Sequence, residues 1–294
     1  MPLATADDGV KLYYEESGSG APLVFAHEFA GDYRSWEPQM RYFSRRYRCI
    51  AFNARGYPPS EVPELPERYS QDRARDDVIA VLDHLEIHRA HLVGLSMGAF
   101  AILHVGLTYP GRALSLVIAG CGYGAPPADT DSFRAECEAA AQAIESDWPS
   151  AAATHAIGPT RVQYRKKDPR GWQEFAAALA THSAKGAANT LRGVQGQRPS
   201  LYQLVEKMKD IALPSLIISG DEDGPCLEAG LLMKGAIPAA GLLVLPRSGH
   251  AVNLEEADAF NRAVSDFLAA VEARAWGPRE LSADSGGILG FRRQ

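Results

Sequence analysis

The most constraining stretch of this chain is Gly94-Leu95-Ser96-Met97-Gly98. It joins a short apolar run, His91–Leu95, to a longer, almost wholly apolar one, Met97–Tyr109. The first reads as a buried strand and the second as a buried helix. A strand passing into a helix with no linker must turn within two or three positions. Only small residues two before and two after Ser96 avoid a clash in so tight a turn, and both are glycine. The serine hydroxyl is then pushed beyond the sheet end. There the free N–H groups and dipole of a helix N-terminus favour developing negative charge. A merely structural Gly-Ser-Gly turn is the competing reading.

The surrounding pattern supports a strand-to-helix turn. Val10–Glu15, Pro22–His27, Cys49–Phe52 and Leu114–Ala119 read as strands, and Arg34–Tyr47 as a helix. Ser70–Ile87 is an amphipathic helix with Val78, Val81, Leu82 and Leu85 on one face. Strands separated by helical crossovers imply an α/β fold with a parallel sheet and helices on both faces. Residues 125–209 break the rhythm. They carry no strand pattern, and helices are expected near Asp131–Trp148, Gly171–Ser183 and Leu201–Lys209. Strands resume at Pro214–Ser219 and Gly241–Leu245, and Glu255–Ala273 is a closing helix. The expected organisation is an α/β core from residues 1–124 and 210–275, a helical cap over 125–209, and a flexible tail over 276–294.

Composition removes several function classes. A net charge of −6 argues against nucleic-acid and anionic-membrane partners, which require a concentrated basic face. No apolar run approaches the roughly 18 residues of a membrane span, and the first ten residues show no secretory pattern. Cys49, Cys121, Cys137 and Cys226 are scattered without metal-site or disulfide-framework spacing, so reduced thiols in a cytoplasmic protein are expected. His84, His88 and His91 are suggestively spaced, but a helix-to-strand turn at Ile87–Ala90 should scatter them. Neither a metal nor a cofactor is expected.

A serine needs a base to take its proton. His250, directly after the strand Gly241–Leu245, is the candidate. His104 falls inside the buried helix, and His155 and His182 in the cap. An orienting carboxylate should come from Asp221-Glu222-Asp223, at the end of the strand Pro214–Ser219. Position alone leaves these three acids in competition.

The order of serine, acid and histidine on such a sheet resembles the α/β-hydrolase superfamily, specifically its cofactor-free serine hydrolases with a helical cap. The likeness runs from about Lys11 to Ala273, the cap excepted. His27-Glu28-Phe29-Ala30-Gly31 resembles the family's oxyanion loop, Asn53-Ala54-Arg55-Gly56 its D-x-R-G loop, and Gly249–Glu255 its histidine loop. The resemblance implies a mostly parallel sheet of about eight strands, a triad of Ser96, Asp223 and His250, and an oxyanion hole from the backbone N–H groups of Phe29 and Met97. A serine nucleophile implies acyl chemistry, with hydrolysis of a small-molecule carboxylic ester leading. A C–C hydrolase, an amidase or lactonase, a cofactor-free perhydrolase and a non-catalytic ligand receptor are the alternatives. Homo-oligomerisation stays open.

Two positions depart from the family pattern. Asn53 stands for the usual aspartate, and Glu28 for the usual glycine beside the oxyanion hole. An ion pair between Glu28 and Arg55 would neutralise that carboxylate; otherwise Glu28 would touch an amine or hydroxyl of the substrate. The substrate-contacting set is expected to hold Glu28, Trp36, Tyr123, Trp148, Tyr164, Trp172 and Val252, with Phe175 nearby. Arg161, Arg165, Lys166, Lys167 and Arg170 read as a solvated helix end.

Overall fold

A computed structural model describes residues 1–279. The eight strands are β1 (Leu3–Thr5), β2 (Lys11–Ser17), β3 (Ala21–Ala26), β4 (Tyr47–Phe52), β5 (Ala90–Leu95), β6 (Ala113–Ala119), β7 (Ser215–Gly220) and β8 (Ala240–Leu245). They form one sheet in the order β1-β2-β4-β3-β5-β6-β7-β8. β1 and β2 run antiparallel to their neighbours, and the rest are parallel. The expected α/β sheet is thus present, with one short edge strand, β1, that the sequence did not reveal.

Buried parallel strands alternate their side chains between two apolar faces. Along β3, Val24 and Ala26 join a core with Val78, Val81 and Leu82 of α2 (Gln71–His84) and Phe100 and Ile102 of α3 (Met97–Thr108). Leu23 and Phe25 point the other way. They pack with Phe43 of α1 (Glu37–Phe43), with Trp36, and with Phe260, Val264 and Phe267 near the C-terminus. Helix α2 begins where Ser70 accepts a hydrogen bond from the Arg73 N–H at 3.1 Å, an N-cap that satisfies one orphan donor.

Between β6 and β7 the chain is helical. It forms α4 (Thr130–Ser146), α5 (Trp148–Ala156), α6 (Val162–Lys167), α7 (Pro169–Ala180), α8 (Ala184–Asn189), a π-helical turn (Thr190–Gln195) and the short α9 (Val205–Met208). Helices α5 and α7 start alike: Asp147 caps the Ser150 N–H and Asp168 the Gly171 N–H, each with a proline in the first turn. Glycines allow this helical segment to sit close on the loop after β4. A Cβ on Gly186 would lie 1.9 Å from the Gly56 carbonyl oxygen. The remaining helices are α10 (Gly224–Ala236), α11 (Val252–Glu255) and α12 (Ala257–Glu272).

The segment expected to be a loose tail is held at its start. The Trp276 indole N–H donates to the Ala239 carbonyl at 2.8 Å and packs edge-on to Phe267, and the Arg279 N–H donates to the Pro238 carbonyl at 3.1 Å. The rest of that expectation, residues 280–294, lies outside the described residues. No helix among the described residues is long and apolar enough to cross a membrane.

Candidate active site

Three strand ends converge. Ser96 follows β5, Asp223 lies three residues past β7, and His250 lies five past β8. The C-terminal ends of parallel strands are where α/β sheets bind ligands. Ser96 has φ +52° and ψ −112°, a positive φ that is strained for a non-glycine residue. The flanking glycines permit it. A Cβ on Gly94 would lie 2.4 Å from the Gly98 carbonyl oxygen, and one on Gly98 would lie 2.1 Å from that of Ala26.

His250 Nδ1 is 2.7 Å from Asp223 Oδ2, and both residues are buried. Burial pushes the Asp223 carboxyl up, but His250, with smaller help from Cys226 and Tyr123, holds it below its ordinary value. Asp221, the competing acid, instead accepts the Ser248 N–H at 3.1 Å and so shapes the histidine loop. Glu255 shapes it further, accepting from Gly249 N at 2.7 Å and Ala251 N at 3.2 Å. Ser96 and His250 line one cavity. Among the described residues no hydrogen bond yet joins their side chains, as is common before substrate tightens such a pair.

Phe29 lines the same cavity, and Met97 opens α3. No acceptor among the described residues takes the N–H of either. His27 fixes the loop: its Nδ1 lies 2.7 Å from the Glu28 carbonyl, and its Nε2 accepts from Ala54 N at 3.0 Å. Asn53, in place of aspartate, accepts from Tyr33 N at 2.7 Å. It also donates to the carbonyls of Tyr57 and Pro58, a donor role that an aspartate could not fill.

The expected Glu28–Arg55 pair does not form. Arg55 is taken by Asp77 at 2.6 Å and Asp8 at 2.8 Å. Glu28 pairs with Arg161, delivered by the helical stretch between β6 and β7 from 133 residues away. Their side chains are 2% and 1% exposed, so Arg161 is no part of a solvated helix end. Burial alone would raise the Glu28 carboxyl, but Arg161, followed by His250, outweighs it and keeps the group below 4.5. Glu28 Oε2 also lies 3.9 Å from His250 Nε2. Of the remaining basic residues of that run, Arg165, Lys166 and Arg170 are exposed as expected, whereas Lys167 donates to Ser248 Oγ at 3.1 Å and pairs with Glu256 at 2.5 Å.

The cavity has a volume of about 640 Å³. Of the expected contacts, Glu28, Tyr123 and Trp148 line it. Trp36 and Val252 do not: both are fully buried in the core on the α1/α12 face. Tyr164 and Trp172 do not either. They pack with Phe175 between cap helices, and the Trp172 indole donates to the Ala156 carbonyl at 2.7 Å. The apolar wall is instead built by Phe29, Phe133, Ile144, Leu179 and Leu191, with His155 and Gln195 as further polar groups. Helical spacing of Phe133, Cys137 and Ile144 on α4 was the available signal for part of it. The histidine trio is dispersed, His91 being buried against Ser115 Oγ at 2.7 Å.

Comparison with known proteins finds hydrolases over nearly the full length of the chain. The 3-oxoadipate enol-lactonase 2 of Acinetobacter baylyi is 29% identical over 269 residues, covering 90% of this chain and 95% of that protein. A 2-hydroxy-6-oxononadienedioate/2-hydroxy-6-oxononatrienedioate hydrolase of Burkholderia vietnamiensis is 29% identical over 289 residues, covering 89% and 93%. The crystal structure of a hydrolase from Pseudomonas aeruginosa superposes with a TM-score of 0.79 at 27% identity, covering 91% of this chain and 97% of that one. A family model described as the alpha/beta hydrolase fold matches residues 21–257, and with that match over most of its length the chain belongs to this family.

Proposed function

We propose that this protein is a serine hydrolase that cleaves a small-molecule carboxylic ester or related acyl substrate through an acyl-enzyme. The observation that carries the reading is Ser96. It is held at a strained turn at a helix N-terminus, in one cavity with a histidine whose far nitrogen is bonded to a buried aspartate. In this reading His250 Nε2 takes the Ser96 proton as Oγ attacks the carbonyl carbon. Asp223 stabilises the imidazolium that results. The N–H groups of Phe29 and Met97 hold the oxyanion, and His250 then passes its proton to the leaving group. Water, activated by the same nitrogen, releases the acid.

The apolar wall suits a small or medium acyl group. Relatives named for an enol-lactone and for a dienedioate are equally similar, so likeness does not choose the carbonyl compound. The test is hydrolysis of p-nitrophenyl esters of increasing acyl length by the wild type and Ser96→Ala. If Ser96 and His250 act as a unit, the variant loses roughly 10⁶ in kcat. Equal slow rates in both proteins would overturn the reading.

A further inference from the structure

One buried group in the cavity has no part in that reaction. Glu28 Oε2 is committed to Arg161, but Oε1 is buried and meets no donor among the described residues. Glu28 lines the cavity together with Ser96 and His250. An ionised carboxylate oxygen left without a donor is costly, so its presence here points to a donor brought by a ligand. With Arg161 holding the group ionised, it can only accept.

Its position says which ligand atom is involved. Glu28 Oε2 lies 3.9 Å from His250 Nε2, the nitrogen not bonded to Asp223. A leaving atom must come within hydrogen-bond reach of that nitrogen to receive its proton. The free oxygen, Oε1, belongs to this same carboxylate, so an atom held within about 3 Å of Nε2 can direct an N–H at it. A bare ester oxygen has no hydrogen to offer the carboxylate. An amide-type nitrogen has one, and as it becomes pyramidal its lone pair turns toward Nε2 while its N–H turns away and needs an acceptor.

We propose that Glu28 is the acceptor for the scissile N–H of an amide-type substrate, with Arg161 fixing its charge and orientation. The proposal rests on Ser96 as nucleophile. Ser96 Oγ bonds to the carbonyl carbon, the C–N bond breaks, and the Oγ proton travels through His250 Nε2 to the departing nitrogen. Glu28 gains no proton and holds the existing N–H throughout.

Glu28→Gln tests this cleanly. Arg161 offers only donors, so the glutamine must turn its carbonyl oxygen to Arg161 and its NH₂ to the cavity, which makes a donor of the acceptor. The substrates are the p-nitroanilide and the p-nitrophenyl ester of the same short acid. Wild type is expected to turn over both, and the variant to lower the anilide-to-ester ratio of kcat/KM by roughly tenfold to hundredfold. An unchanged ratio overturns the proposal, as does a wild type that hydrolyses the ester but not the anilide. If neither substrate is turned over, the nucleophile assignment falls with it. A wild-type measurement guards against a variant that fails to fold: N-methylating the anilide removes the only N–H and should abolish its turnover. Equal rates for the two anilides would overturn the proposal without any variant.

Discussion

Replacing Arg161 with methionine should expose how the cap and core are joined. The substitution removes the partner of a carboxylate that is only 2% exposed, and keeps an apolar stem over Phe175, whose ring centroid lies 5.1 Å from the guanidinium carbon. A buried charge left alone typically costs about 3–5 kcal/mol. Glu28 can escape part of that by taking up a proton. From its ordinary value of 4.5, protonation at pH 7 costs about 3.4 kcal/mol, which sets the ceiling. The expected loss is therefore about 3 kcal/mol at pH 7, or roughly 6–12 °C in melting temperature for a chain of this size.

The sign of the pH effect follows from the same group. In the wild type the Glu28 value is lowered, so its stabilisation is full above 4.5 and is lost only as pH falls through the folded value. In Arg161→Met the strongest lowering charge is gone and burial outweighs the weaker pull of His250 and His155, so the value rises, the penalty grows with pH above 4.5 and should shrink to about 1 kcal/mol at pH 5. Adding Glu28→Gln removes the stranded charge and should recover most of the deficit. Chemical denaturation of the wild type, both single variants and the double variant at pH 7 and pH 5 measures every corner of this cycle. A deficit at pH 7 under 1 kcal/mol would refute the reasoning, as would one independent of pH or one the second substitution fails to relieve.

Three further outcomes are expected. Gly98→Ala would force a Cβ to 2.1 Å from the Ala26 carbonyl oxygen, so it should abolish activity or folding. Gly235→Ala, with nothing within 4 Å, should raise stability by about 0.5–1 kcal/mol; a well-behaved, active Gly98→Ala would count against the tight turn at Ser96. Burial holds His27, His91, His104 and His155 to about 4, against 6.5 in the unfolded chain. The unfolded state therefore binds more protons between those values, and melting temperature should be flat from about pH 7 to 8 and fall steeply from about pH 6 to 4; a flat profile down to pH 5 would contradict it.

Much of this was legible before any coordinates, for physical reasons. The six parallel strands are short, continuous apolar runs and stand out, and β2 also reads as a strand, while Leu3–Thr5 is too short to show any period. Helix α10 has no strong apolar period, because its buried residues, Cys226, Ala229, Gly230 and Met233, are mostly small and share the segment with a proline and further glycines. At the site, Gly94 and Gly98 announce the turn because only backbone geometry explains both. Arg161 could not be singled out from Arg165, Lys166 and Lys167, since what distinguishes it is a partner 133 positions away. Trp36 and Val252 misled because proximity in sequence to active-site loops says nothing about which way a side chain points. Both turn inward beneath the sheet.

The bond between Glu28 and Arg161 also limits how this protein could exchange parts with its relatives. A borrowed cap would have to bring an arginine to the place of Arg161, or Glu28 would be buried without its partner. This cap grafted elsewhere would bury Arg161 with no acid to meet it. The two halves of the molecule therefore have to be inherited, or engineered, as a matched set, with residue 28 travelling alongside the cap although it belongs to the core.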